Sequence, residues 1–290
     1  MARVAGESPR TARYFKLSPP GTDDPVILCC EVSGEGPWAI LVPGLGDTVW
    51  AWRKLLPSLE AAHRVAAVEP RGHGRSASPE GPYILAEMAG DLGRLAGALG
   101  AGRPVFIGQG LGGRTALLLA LERPELPAAL VLIGTDPAPP EGAAREALLA
   151  QRAHVARGDL QAAYKARKAA GVLPRGMTPK ERAEHHRLFL RNSPRGYASA
   201  LEAALAGPDL TGRLGGLRCP VLAVAGEKEA GGPEAARRLA VAIPGGEAVV
   251  AEGAGPFVQL DRPEALRALL EEFFRKHQLS VPAGGPPSSS

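Results

Sequence analysis

The residues of this chain that are best placed to do chemistry lie in one glycine-dense turn between an apolar strand and an apolar helix. The segment from Val105 to Gly113 reads Val-Phe-Ile-Gly-Gln-Gly-Leu-Gly-Gly, and the helix continues over Arg114–Glu122. Backbone amides at the start of such a helix can bind a carbonyl, carboxylate or phosphate oxygen, or hold a water. The turn itself contains no Ser, Cys or His, so it offers no side chain for nucleophilic attack.

The same turn also matches the pattern of a dinucleotide-binding loop. Gly108 to Gly113 spells G-x-G-x-x-G, and Asp136 ends the next predicted strand 23 residues beyond Gly113. An acidic residue at about that separation, roughly 20 residues, binds the ribose in dinucleotide-binding folds. Three strands of the parallel run already precede the motif, however, so dinucleotide binding is the less favoured interpretation.

Strand and helix patterns alternate around this turn. Short apolar runs at Trp38–Val42, Val65–Val68 and Ala129–Ile133 predict strands buried on both faces. Ile84–Leu99 carries apolar residues at steps of three and four and predicts a helix, and a further helix is expected over Trp52–Ala62. The alternation predicts an α/β fold with a mostly parallel, doubly wound sheet of about eight strands.

The alternation stops after Asp136, where the pattern becomes helical without strands. We therefore predict an inserted helical lid over residues 137–210, between two parts of one core at 11–136 and 211–278. Residues 1–10 are predicted to be a flexible tail. Residues 279–290, which end in Gly-Gly-Pro-Pro-Ser-Ser-Ser, are low in complexity and are predicted to be disordered.

Five motifs, taken in order, resemble those of the α/β-hydrolase fold family, in the branch that carries a lid. They are Pro43-Gly-Leu-Gly46, Arg71-Gly-His-Gly-Arg-Ser76, the turn Gly108–Gly112, Cys219-Pro-Val-Leu-Ala-Val-Ala-Gly-Glu-Lys-Glu229, and Gly253-Ala-Gly-Pro-Phe257 followed by Asp261-Arg-Pro-Glu264. The resemblance covers about Arg10–His277. It implies the fold of that family.

The resemblance also implies a degenerate catalytic triad. In this family the serine lies at the centre of a G-x-S-x-G turn, the nucleophile elbow. Here Gly110 stands at the serine position, Pro256 at the histidine position and Glu229 at the acid position. Acyl transfer needs a nucleophile, a base and an orienting acid. Gly110 and Pro256 supply neither of the first two, so we predict a pseudoenzyme rather than a serine esterase.

Several residues around the implied pocket remain candidates for binding or catalysis. Those implied to contact a ligand are Gly44, Leu45, Asp47, Trp50, Gln109, Gly110 and Leu111, with the amides of Leu45 and Leu111 as oxyanion donors. Asp136, Asp47 and His185 are candidate substitutes for the missing acid–base group. Asp136 could instead cap the lid linker, and His185 and His186 could instead lie on the surface.

Composition and charge limit the partners. The formal charge is +4, but the segment from Gln151 to Arg195 holds eleven basic and only three acidic residues. This basic lid indicates either solvated helix faces or a surface for an anionic ligand or partner. Three cysteines give neither a disulfide framework nor metal spacing, and no cofactor or metal is predicted. Without a secretory or membrane-length apolar run, we expect a cytoplasmic protein that binds neither membranes nor nucleic acid.

Three functional hypotheses follow. The first is a non-hydrolytic protein that binds a small carboxylate-, acyl- or phosphate-bearing ligand, or a protein partner, under the basic lid. The second is a lyase, isomerase or cyclase, such as one in a biosynthetic pathway, that uses Asp47, Asp136, Glu229 or His185 in the same pocket. The third is a hydrolase with a relocated acid–base group that activates a bound water.

Overall fold

The computed structural model describes residues 10–19 and 25–279. It contains one sheet of eight strands, in the spatial order β1-β2-β4-β3-β5-β6-β7-β8. The strands are β1 Thr11–Leu17, β2 Val26–Ser33, β3 Trp38–Val42, β4 Arg64–Glu69, β5 Val105–Gln109, β6 Ala129–Ile133, β7 Val221–Gly226 and β8 Glu247–Ala251. Strand β2 pairs antiparallel with β1 and β4, and all the other neighbours are parallel. The predicted mostly parallel eight-stranded sheet is confirmed.

Ten α-helices accompany these strands in the described ranges. They are α1 Leu56–Glu60, α2 Leu85–Ala98, α3 Leu111–Glu122, α4 Gly142–Val155, α5 Leu160–Ala169, α6 Pro179–Phe189, α7 Pro194–Ala206, α8 Gly232–Ala242, α9 Val258–Asp261 and α10 Pro263–Lys276. Two 3₁₀ helices, Val49–Trp52 and Thr211–Gly216, complete the set. The predicted helices frame the sheet as a doubly wound fold requires.

The single helix expected over Trp52–Ala62 is wrong. The chain instead forms the 3₁₀ turn Val49–Trp52 and then the short helix α1, with Pro57 in the first turn of α1. Proline lacks a backbone N–H and is tolerated only at the start of a helix, so a helix cannot run through this position from Trp52.

Two hydrophobic clusters cover the two faces of the sheet. Side chains of α2, α3 and α8 pack on one face, and those of α1 and α10 pack on the other. The central strands β3, β5, β6 and β7 are buried along their whole length. The carboxyl ends of these parallel strands therefore meet at one edge of the sheet, where ligands bind in open α/β folds.

Helices α4 to α7, which we call the helical insertion (142–206), lie between β6 and β7 in the chain. Local side-chain hydrogen bonds cap the first turns of three of these helices. Thr178 and Glu181 form a reciprocal capping box before α6, and Asp159 and Ser193 cap α5 and α7. The insertion has its own apolar cluster around Tyr164, Phe189 and Tyr197.

The tails predicted at 1–10 and 279–290 lie outside the described residues, apart from Arg10 and Leu279. No helix in the described part of the chain combines the length and apolar character needed to cross a membrane.

Candidate functional site

Gly110 forms the sharp turn between β5 and α3. Its backbone has φ +53° and ψ −117°, and its amide donates to the Ile133 carbonyl at 2.9 Å. A residue with a Cβ is strained at such an angle, whereas glycine is not. The position that a Cβ would occupy faces open space, with only the Gly134 carbonyl oxygen 3.9 Å away. The backbone of the turn has the shape that would expose a nucleophilic side chain at this position, but Gly110 carries only a hydrogen there.

The side chain of Gln109 lies beside this turn and is 6% exposed. Its Nε2 donates to the Pro256 carbonyl at 3.2 Å, and its Oε1 rests against Gly44, where no Cβ would fit. Within the described residues, nothing donates to that buried Oε1. A buried acceptor without a donor costs on the order of 1–3 kcal/mol, so this edge of the pocket favours a water or a ligand N–H.

Glu229 lies between the ends of β6 and β7, next to Pro256. A Cβ added to Gly134 would lie 2.9 Å from Glu229 Oε1 and 3.0 Å from the Pro256 carbonyl oxygen. Burial raises the pKa of Glu229 to about 7, and the charge of Asp136 adds to the rise, against a backbone hydrogen bond from Gly226. Its Oε2 is buried and has no partner in the described ranges. The structure thus holds a carboxyl group that can gain or lose a proton near neutral pH.

The carboxylate of Asp47, in the loop after β3, is paired with two side chains of the helical insertion. Arg167 from α5 contacts Asp47 Oδ2 at 3.2 Å, and His185 Nε2 from α6 lies 2.8 Å from Asp47 Oδ1. Burial favours a raised pKa for Asp47, but the Arg167 charge and the hydrogen bonds from His185 and Arg167 outweigh it and lower that pKa. Arg167 also donates to the Leu45 carbonyl. Asp47 is therefore a buried, ionised anchor.

His185 is buried, so the alternative that it lies on the surface is wrong. Its Nδ1 lies 3.0 Å from the Tyr164 hydroxyl, and its Nε2 is taken by Asp47. Because both ring nitrogens are engaged inside the insertion contact, this imidazole is not free to act as a base at Gly110. His186 is half-buried and pairs with Gln161 at 2.8 Å.

The contacts of Asp136 and Trp50 are with residues outside the turn. Asp136 accepts from the Ala138 amide at 3.0 Å and pairs with Arg238 at 2.8 Å, with its side chain 45% exposed. The Trp50 ring stacks under Arg53 and lies 5.5 Å from the His185 ring. The predicted residues therefore fall into two groups: Gly110, Gln109, Glu229 and Pro256 surround Gly134, whereas Asp47, His185 and Trp50 line the contact with the insertion.

Sequence reasoning missed Gly134, Tyr164 and Tyr197 and counted Arg167 only as part of a basic segment. Arg167 donates to the Tyr197 hydroxyl, which in turn donates to Gln151 at 2.6 Å. The only local signal is that Tyr164 and Arg167 are three residues apart and so share a helix face. Gly134 directly follows a predicted strand, and its φ of +51° is a reason for glycine there.

Comparison with known proteins agrees with this geometry. A family model described as alpha/beta hydrolase fold matches residues 37–172. The structure of a thermophilic esterase from Thermogutta terrifontis, with malate bound, superposes with a TM-score of 0.80 at 27% identity, covering 91% of this chain and 99% of that one. The chain therefore has the α/β-hydrolase fold.

Two curated relatives extend the comparison. A putative carbamate hydrolase RutD from Variovorax paradoxus is 39% identical over 119 residues, which are 40% of this chain and 45% of that protein. The polyketide synthase ThaQ from Burkholderia thailandensis is 31% identical over 265 residues, which are 87% of this chain and 12% of that protein. The chain thus spans less than half the length of either relative.

Proposed function

We propose that this chain is a non-hydrolytic member of its family that binds a small ligand at the Gly110 turn. The observation that carries the proposal is the pairing of Gly110 with Pro256: the turn keeps its backbone shape, but no hydroxyl, thiol or imidazole stands on it. Hydrolysis through an acyl-enzyme requires both a nucleophile and a base. The relatives named as hydrolases share the scaffold, and a scaffold alone does not carry an activity.

The direct test is turnover of an activated ester, p-nitrophenyl butyrate, by the wild type and by Gly110→Ser, Pro256→His and the double variant. We expect the wild type and both single variants to match a heat-denatured control. The double variant regains a serine in open space and an imidazole near Glu229, and is expected to show measurable turnover. Wild-type turnover that is abolished by Glu229→Gln would contradict the proposal.

A thermal-shift screen tests the binding half of the proposal. Carboxylates, acyl-CoA compounds and phosphorylated metabolites should be compared at equal ionic strength, because a ligand that binds the native state raises the unfolding temperature. We expect at least one class to stabilise the wild type and to lose that effect in Gly110→Leu, whose side chain would fill the space above the turn.

A second candidate is an acid–base enzyme that uses Glu229, and two observations favour it. The Glu229 carboxyl has a pKa of about 7 and an unpartnered Oε2, and a pKa near working pH suits proton transfer. The chain also aligns along 87% of its length with a segment of a polyketide synthase, a biosynthetic protein. This candidate predicts that Glu229→Gln abolishes turnover of an identified substrate while its binding is retained.

A further inference from the structure

A cavity lies next to the residues that follow Asp47, and no residue of the Gly110 turn lines it. Its volume is about 390 Å³, and it opens between three elements. These are the segment 48–56 after Asp47, residues 69–75 from the end of β4, and residues 184–191 from the last part of α6 and the turn after it. A cleft of roughly 300–1,000 Å³ is the size that small-molecule sites usually have. We call this cavity the arginine groove.

The wall of the arginine groove is partly apolar. Val49, Leu56 and Leu188 line it, together with the half-buried ring of Trp50. The Arg53 guanidinium lies over that ring at 3.4 Å from its centroid. An apolar chain or ring of a ligand can pack against these side chains and bury surface from water.

Four arginines and three glutamates line the groove, so the lining carries a formal excess of one positive charge. Arg75 lies between two of these glutamates, Glu31 at 2.9 Å and Glu69 at 3.0 Å. Arg53 pairs with Glu181 at 2.6 Å, and Arg10 pairs with Glu60 at 2.8 Å.

The remaining acid of the groove is occupied as well. Both oxygens of Glu184 accept from Arg187, at 2.8 and 2.6 Å. Arg191 lines the same wall two residues beyond the end of α6, and its charge acts on Glu184. Within the described residues, no hydrogen bond or ion pair occupies its guanidinium. The guanidinium fork of Arg191 can therefore bind a carboxylate through two N–H groups.

We propose that the arginine groove binds an amphipathic monocarboxylate, with the carboxylate on Arg191 and the apolar part against Val49, Leu56, Leu188 and Trp50. This site is separate from the Gly110 turn and does not depend on the function proposed for that turn. Arg191 is then the residue of the basic insertion that binds an anion.

The test is calorimetric titration with three probes: octanoate, acetate and octylammonium. Octanoate carries both features that the groove recognises, acetate lacks the apolar chain, and octylammonium reverses the charge. We expect saturable binding of octanoate that weakens at high salt, at least tenfold weaker binding of acetate, and no binding of octylammonium. Equal affinity for octanoate and octylammonium would overturn the proposal.

Two variants and a matched control locate the site. Arg191→Gln should weaken octanoate binding by about tenfold, which is about 1.4 kcal/mol, because the charged two-pronged donor is replaced by a neutral amide. Leu188→Asp places a negative charge on the same wall and should abolish binding. Arg195→Gln removes an exposed arginine outside the groove and should change nothing. Undiminished octanoate binding in both Arg191→Gln and Leu188→Asp would overturn the proposal and assign octanoate to another site.

Discussion

Among single residues, Glu229 departs from what its motif position implies. In a triad, an acid at the corresponding position orients an imidazole and stays ionised. Here burial raises the pKa of Glu229 to about 7. We therefore predict that the Glu229 carboxyl exchanges a proton near neutral pH.

The pH dependence of stability tests this residue. The folded-state pKa lies above the ordinary value of 4.5, so the stabilisation from proton binding is complete below 4.5 and is lost as the pH rises through about 7. We expect Glu229→Gln to match the wild type at pH 4.5 and to be more stable at pH 8.5 by up to about 3 kcal/mol. Urea unfolding at both pH values measures the difference.

The matched control is Glu227→Gln. The Glu227 carboxylate is exposed, accepts from the Gly253 amide, and has a lowered pKa because of that hydrogen bond and of Lys228. Its neutralisation should therefore not stabilise the protein at high pH. A stability gain in Glu229→Gln that is independent of pH would contradict the assignment.

Among the elements, the helical insertion is joined to the core by charges rather than by apolar packing alone. Asp47 on the core faces Arg167 on α5 and His185 on α6, and all three side chains are nearly fully buried. Removing one partner of a buried ion pair leaves an uncompensated charge. The contact therefore fixes the insertion over the loop that begins at Gly44.

Asp47→Asn tests this contact. We expect it to lower the free energy of unfolding by about 3–5 kcal/mol, because Arg167 loses its counterion in a buried site. Asp136→Asn is the matched control, since its pair with Arg238 is exposed and should contribute less than about 1 kcal/mol. Equal losses in the two variants, measured by urea unfolding, would show that burial does not govern the Asp47 contact.

At the scale of the whole molecule, the insertion and the sheet share one core. Ala200, Ala203 and Ala204 of α7 belong to the same hydrophobic cluster as α2, α3 and the strands. Together with the Asp47 contact, this packing makes separate unfolding of the insertion unfavourable.

Two spectroscopic probes can check that cooperativity. Trp38 and Trp52 lie in the core, whereas Trp50 contacts His185 of the insertion, so the fluorescence of a Trp50→Phe variant reports on the core alone. Far-ultraviolet circular dichroism reports on the helices of both parts. We expect the two urea transitions to coincide. Loss of helical signal at a lower urea concentration than the fluorescence change would show that the insertion unfolds first.

The sequence was sufficient for the sheet, because its strands depend on local order. Buried apolar runs with turn glycines between them predicted β3 to β7, whereas the triad-equivalent roles of Gly110, Glu229 and Pro256 stay predictions. The contacts of Asp47 could not be predicted, because Arg167 and His185 are 120 and 138 residues away in the chain. The break before Pro57 could have been predicted, because this proline would stand in the interior of a helix that began at Trp52.

Because the native cysteines are buried, a cysteine introduced at the Gly110 turn could be labelled selectively. Cys29, Cys30 and Cys219 are unpaired and buried, and burial raises the pKa of each thiol, to about 12 for Cys30 and about 11 for Cys219. Thiolates react with alkylating reagents and buried thiols do not. We therefore expect the native protein to be unreactive toward maleimides. A cysteine substituted for Gly110 should then be the single reactive thiol, suitable for attaching a fluorophore or a cross-linker above the turn.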